Sequence, residues 1–202
     1  MTRELTVPEL SLVVLIGVSG SGKSTFGRTH FRPTEVISSD FCRGLVADDE
    51  NDQSATPQAF ELLHYIAGQR LKAGRLTVVD ATNVQTEARR QLVTIAREHD
   101  VLPVAIVLDV PEKVCVERNA ARPDRDFGAH VIRRQRDQLR RGLKGLQREG
   151  FRTEFRAVNH RHRETGRSKY TNLGRLWAAL SDMLGVIWLQ ARARDPGTVE
   201  EA

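Results

Sequence analysis

One stretch of nine residues constrains this chain more than any other: Gly17-Val18-Ser19-Gly20-Ser21-Gly22-Lys23-Ser24-Thr25. It fits G-x-x-x-x-G-K-[ST], the pattern of a phosphate-binding loop. The continuous apolar run Leu12-Val13-Val14-Leu15-Ile16 precedes it and has the length of a buried strand. The residues from Thr25 to His30 can open a helix, which must stop before Pro33. Strand, loop and helix in that order are the setting the motif requires. Glycines let the backbone turn its N–H groups inward, and the helix adds its positive end at the same place. Gly17, Ser19, Gly20, Ser21, Gly22 and Thr25 are therefore expected to cradle phosphates. Lys23 can reach the β- and γ-phosphates, and the Ser24 hydroxyl can ligate Mg²⁺. The competing reading is a glycine-rich turn that binds nothing. It requires the Lys-Ser pair and the flanking strand both to be accidents.

Downstream, residues 35–37 form a short apolar run that delivers Ser38-Ser39-Asp40-Phe41-Cys42-Arg43 to the carboxyl end of a sheet. Ligands of open α/β sheets sit at that edge. A carboxylate there can orient an attacking hydroxyl and accept its proton, which makes Asp40 a candidate general base. Equally, Asp40 could cap a helix beginning at Phe41. Arg43 shares a helical face with Asp40 and could hold a substrate phosphate; as a bare arginine it would be a solvated surface charge. The acidic residues 47–56 read as a loop at the mouth of the site.

Pro57 suits the first turn of a helix reaching about residue 73, with Phe60, Leu63, Ile66, Ala67 and Leu71 on one face. His64 within it reads as packed rather than catalytic. Residues 76–80 are an apolar strand ending in Asp80. That is the Walker B pattern, in which the carboxylate holds Mg²⁺; the other reading is a cap for the next helix. That helix, about 86–99, should carry Ala88, Leu92, Ile95 and Ala96 inward. A fourth strand over 103–108 and a helix over 112–121 follow.

The charge then changes: residues 118–148 hold ten Lys or Arg against three acids. Arg118, Arg122 and Arg125 flank a helix stop at Pro123. Such a segment can fold over a nucleotide as a lid and neutralise charge on a transferring phosphoryl group. Its competitor is a solvated basic helix. An amphipathic helix is expected over 127–148 and a last strand over 151–158. Residues 159–169 are polar and basic without periodicity, and residues 173–189 carry an apolar stripe.

The whole chain has 202 residues, a net charge of +5 and 40% hydrophobic residues. Its pI is about 9.7, which favours a polyanionic partner. It contains no run of 18 or more apolar residues, so no membrane span is expected. The N-terminus leads through one strand into the loop and is not expected to be a signal peptide. Cys42 and Cys115 lack metal-ligand spacing and read as reduced thiols, which fits a cytoplasmic protein.

Read together, the loop, Ser38-Ser39-Asp40-Phe41-Cys42-Arg43-Gly44, Val78-Val79-Asp80-Ala81-Thr82-Asn83 and Glu117-Arg118-Asn119 resemble the kinase domain of bacterial polynucleotide kinase–phosphatase, an RNA-end-healing enzyme. The likeness runs from about Pro8 to Phe151 and includes residues 48–53 and 144–151. It implies an ATP-dependent kinase acting on 5′-OH ends of polynucleotides. Under it, Asp40 is the general base, and Arg43 contacts the phosphate on the 3′ side of the attacked nucleotide. Arg118 and Arg122 belong to the lid and meet the ATP phosphates.

The phosphatase and ligase-like domains that follow the kinase in that family have no counterpart in this sequence. Separate phosphatase and ligase components are therefore expected partners, beside single-stranded 5′-OH RNA or DNA. The expectation is thus an α/β phosphate-loop kinase domain over 1–158, with a central parallel sheet flanked by helices and ATP and Mg²⁺ as cofactors. A divergent basic linker and helical tail over 159–202 follows, packing on the kinase or on a second subunit of a homodimer. The alternatives are a sugar or nucleoside kinase of the same fold, and a nucleotide-binding module that only docks.

Overall fold

The structure is a computed structural model and describes residues 6–121 and 128–151. Four strands, β1 (Ser11–Ile16), β2 (Val36–Ser38), β3 (Thr77–Asp80) and β4 (Leu102–Val107), form one sheet in the order β2-β3-β1-β4. Every pairing is parallel. β1 is central, and all six of its residues are buried. Period-two alternation divides them: Leu12, Val14 and Ile16 enter the larger core, while Val13 and Leu15 enter a smaller one on the opposite face. Helices cover both faces, as a parallel sheet requires.

The helices are α1 (Lys23–His30), α2 (Ser39–Ala47), α3 (Thr56–Lys72), α4 (Thr86–Glu98), α5 (Glu112–Ala120), α6 (Ala129–Leu143) and α7 (Leu146–Glu149). The smaller core takes Phe26 and Phe31, from α1 and its exit. The larger takes Leu63 and Ala67 of α3, Leu92 and Ala96 of α4, and Ile132 and Leu139 of α6. No helix among the described residues is long and apolar enough to cross a membrane.

Several expectations shift. α2 begins at Ser39, not Phe41, because Ser38 takes the capping position; its Oγ accepts from the Phe41 N–H at 3.4 Å. Asp40 therefore caps nothing and stands inside the first turn. Asp80 caps nothing either, since α4 starts six residues later behind Gln85. The acidic loop contains a 3-10 turn over Gln53–Ala55, started by Asp52, whose carboxylate accepts from the Ser54 N–H at 2.9 Å.

The single helix expected over 127–148 is two helices, α6 and α7, parted at Lys144 and Gly145. On α4, Ala88 and Ile95 are only half-buried, and Arg89 and Val93 take the inward positions. Arg89 is 1% exposed. Its Nε and Nη2 each donate at 2.7 Å to one oxygen of Glu149, and Nη1 donates to the carbonyls of Asn83 and Val84. This fork ties α4 to α7 and to the turn after β3. The expected strand over 151–158, the basic stretch 159–169, the tail helix over 173–189 and the lid residues Arg122 and Arg125 lie outside the described residues. So does the domain boundary at 158.

Candidate active site

β1 ends at Ile16, and the next residue turns into the loop. Its N–H donates to the Thr82 carbonyl at 3.0 Å, so the turn after β3 fixes where the loop starts. Asn83 supports the same point: its Nδ2 donates to the Leu15 carbonyl at 2.9 Å, with φ at +48°. Gly20 and Gly22 have φ of +80° and +94°, the left-handed region that favours glycine. A Cβ at Gly20 would also stand 2.4 Å from the Cys115 carbonyl. The close approach of α5 to the loop therefore depends on that glycine.

The loop encloses an ammonium group. Lys23 is buried, and its Nζ donates to the Gly17 and Val18 carbonyls at 2.9 and 3.0 Å. Ser21 Oγ is buried with no hydrogen-bond partner among the described residues. A buried hydroxyl without a partner, just before the first turn of α1, fits a donor to a phosphate oxygen. Ser24 is half-buried and Thr25 exposed on the first turn of α1. A cleft of about 460 Å³ opens from this point, lined by Ser21, Gly22, Thr25, Phe26 and Arg118. Arg118 is exposed on the last turn of α5. Its guanidinium lies 3.7 Å from the position a Cβ on Gly22 would take. Arg118 is thus at the loop, where a phosphate-contacting cation belongs.

Burial pushes the Cys115 thiol up, against the pull of Arg136, Arg118 and Lys23. Burial likewise raises Cys42. Both cysteines are unpaired and buried, and a protonated, enclosed thiol is packing rather than a nucleophile.

The opposite wall comes from β2 and β3. Their register pairs Ser38 with Asp80, and Asp80 also pairs with Leu15 just before the loop. Three strand ends thus bring Asp80, the Ser38-Ser39-Asp40 turn and the phosphate loop to one sheet edge. Asp80 is 5% exposed. Asp40 accepts from Arg43 Nη1 at 3.1 Å. The same nitrogen donates to the Glu50 carbonyl. Arg43 is 6% exposed, so it is not a solvated surface charge, and its Nε has no acceptor among the described residues. A helix-borne carboxylate held by a buried guanidinium suits a group that must keep one orientation. Among the described residues no cluster of three or more His, Cys, Asp or Glu side chains could hold a metal ion.

Sequence reasoning missed one residue at the loop. Gln135 of α6 accepts from the Ser19 N–H at 2.8 Å across 116 residues of sequence. The sequence shows it only as one position of the amphipathic helix expected over 127–148. α6 is held there by Arg133 on Glu112 at 3.1 Å and Arg136 on Asp109 at 3.4 Å. His64 is the packed residue expected: its ring lies 5.9 Å from that of Phe60, and burial lowers its pKa.

A family model described as AAA domain matches residues 12–146. Transcription factor bHLH140 of Arabidopsis thaliana is 31% identical over 112 residues, which are 55% of this chain and 11% of that protein. A solved chain of the Pnkp1/Rnl/Hen1 RNA repair complex is 20% identical with a TM-score of 0.59, covering 71% of this chain and 48% of its own. A chain of the AvrRxo1-ORF1:-ORF2 complex is 14% identical with a TM-score of 0.50, covering 67% and 49%. This chain therefore spans about a tenth of the curated relative and about half of each solved chain. With 135 matched residues, a parallel sheet and a complete phosphate loop, the chain belongs to the AAA domain family and has the fold of a phosphate-loop kinase.

Proposed function

We propose that this domain transfers the γ-phosphoryl group of ATP to the 5′-hydroxyl end of an RNA or DNA strand. The observation that carries the reading is the Asp40–Arg43 pair beside Asp80, at the sheet edge that also presents the phosphate loop. A module that only bound nucleotide would need the loop but no oriented carboxylate beside it.

The step is an in-line displacement. The acceptor oxygen forms a bond to Pγ while the bond from Pγ to the β,γ-bridging oxygen breaks, leaving ADP. Asp40 accepts the hydroxyl proton. The loop amides and Lys23 stabilise charge on the transferring group, and the positive charges of Arg118 and Arg122 add to that stabilisation. Ser24 and, through water, Asp80 would hold Mg²⁺, which supplies further charge neutralisation when bound. So few protein ligands suit an ion that keeps several of its waters. Arg43 would hold the phosphate on the 3′ side of the attacked nucleotide, fixing the hydroxyl relative to Asp40.

A net charge of +5 supports a polyanionic acceptor. The RNA repair complex whose fold this chain shares makes polynucleotide ends the first acceptor class to try. Asp40→Asn tests the mechanism. The rate of transfer to a 5′-OH oligonucleotide should fall about 10²–10⁴-fold with ATP binding retained. A rate within a few-fold of the wild type, with ATP bound, would remove Asp40 as the base.

A further inference from the structure

A second basic cleft, of about 340 Å³, shares no residue with the one at the phosphate loop. It lies between the first turn of α4 and the turn joining α6 to α7, and Thr86, Arg90, Arg141, Arg148 and Glu149 line it. The cleft contains one carboxylate, and both oxygens of Glu149 are occupied by the buried Arg89 fork at 2.7 Å. Three exposed guanidiniums remain, on Arg90, Arg141 and Arg148. Arg90 is paired with Glu87 at 3.7 Å, both side chains well exposed, and such a pair is worth little in water. Arg141 donates Nε to the Asp137 carbonyl at 3.2 Å and keeps its terminal nitrogens.

The opening follows from the packing beneath it. A Cβ at Gly142 would stand 2.8 Å from the Arg89 guanidinium, and one at Gly145 would stand 3.2 Å from the Glu149 carboxylate. A side chain at either position would crowd the Arg89–Glu149 pair, and the two glycines leave open the space that the arginines rim.

Two bearings place this cleft relative to the loop. α4 follows β3, the strand between β2, which delivers Asp40, and β1, which delivers the loop. α6 touches the loop through Gln135, and Arg141 lies further along that helix by about 9 Å at 1.5 Å per residue. We propose that the cleft is a phosphodiester subsite that grips the acceptor strand downstream of its 5′ end. Guanidinium forks match phosphate oxygens bidentately, which suits three arginines around one opening. The proposal rests on the polynucleotide reading above.

Its test uses the full chain and an Arg141→Gln/Arg148→Gln variant, with Arg148→Gln alone as a milder second form. Thermal unfolding confirms that each is folded. kcat/KM is measured for 5′-OH acceptors of about two and about ten nucleotides. The advantage of the longer acceptor should shrink about tenfold in the double variant. The salt slope for the longer acceptor should fall by about 1.4, two contacts at about 0.7 each. An unchanged length advantage and an unchanged slope overturn the subsite.

Direct titration with a 5′-phosphorylated ten-nucleotide strand separates this failure from failure of the kinase reading. If the wild type transfers phosphate to no oligonucleotide yet binds that strand more tightly than the double variant, the kinase reading falls and the subsite stands. Equal binding overturns the subsite whatever the activity. Full displacement of the strand by inorganic phosphate at about 10 mM would also overturn it, since the cleft would then take a single phosphate and not a strand.

Discussion

The phosphate loop and the α4–α7 bracket each bury a cation, and they use it in opposite ways. Lys23 is 8% exposed and Arg89 1%. The Lys23 ammonium donates to two carbonyls of its own loop, six and five residues away in sequence. Carbonyl oxygens carry only partial charge, so phosphate oxygens outbid them for the same ammonium. Arg89 meets a full carboxylate sixty residues away, through two 2.7 Å bonds, and adds two carbonyls and the Thr86 hydroxyl. Nothing a ligand offers improves on that arrangement. A buried ammonium that donates to carbonyls can exchange them for phosphate oxygens; a buried guanidinium paired with a hydrogen-bonded carboxylate holds the fold. α6 spans the two regions, with Gln135 on the loop and Gly142 packed on Arg89.

Arg89→Ala should give the largest effect on stability. It leaves Glu149 nine-tenths enclosed without a counter-charge, at a cost of about 3–5 kcal/mol. Urea unfolding should show the midpoint falling accordingly, and a loss under 1 kcal/mol would break the contrast. Lys23→Met should do the reverse. Phosphotransfer should drop about 10²–10³-fold, while the unfolding midpoint holds or rises, because an apolar side chain replaces a buried charge. A midpoint that collapses with Lys23→Met would make that lysine a structural cation like Arg89. Gln135→Ala should show the smallest effect, because it tests the link between the regions. It strips the acceptor from the Ser19 N–H, costing about 1 kcal/mol of stability. kcat should fall more than KM for ATP rises, since the loop keeps its glycines and Lys23. Equal changes in both would mean that Gln135 supports binding without positioning the loop.

How much of this was legible in the sequence tracks how local each cause is. The loop, its strand and its helix lie within one short stretch, and the motif states their chemistry directly. The Asp80 position followed from an apolar run ending in an acid. The role of Ser38 did not, because Ser38, Ser39 and Asp40 are all competent caps, and propensity does not choose the register. Arg89 was unreadable for a physical reason. Its partner is sixty residues away, and a charged residue on an amphipathic helix reads as solvent-facing. The available signal was Gly142 and Gly145, two glycines near the end of a long helical pattern, which mark a break. Gln135 had no local signal, since a half-buried glutamine gives no hint that it reaches a backbone amide across the molecule.

The most direct measurement is transfer of label from γ-labelled ATP, with Mg²⁺, to a short single-stranded oligonucleotide ending in 5′-OH, run beside the same oligonucleotide ending in 5′-phosphate. The account predicts label on the 5′-OH strand only. Label on neither strand, with ATP still bound, would contradict it and point to a small-molecule acceptor or to a docking module.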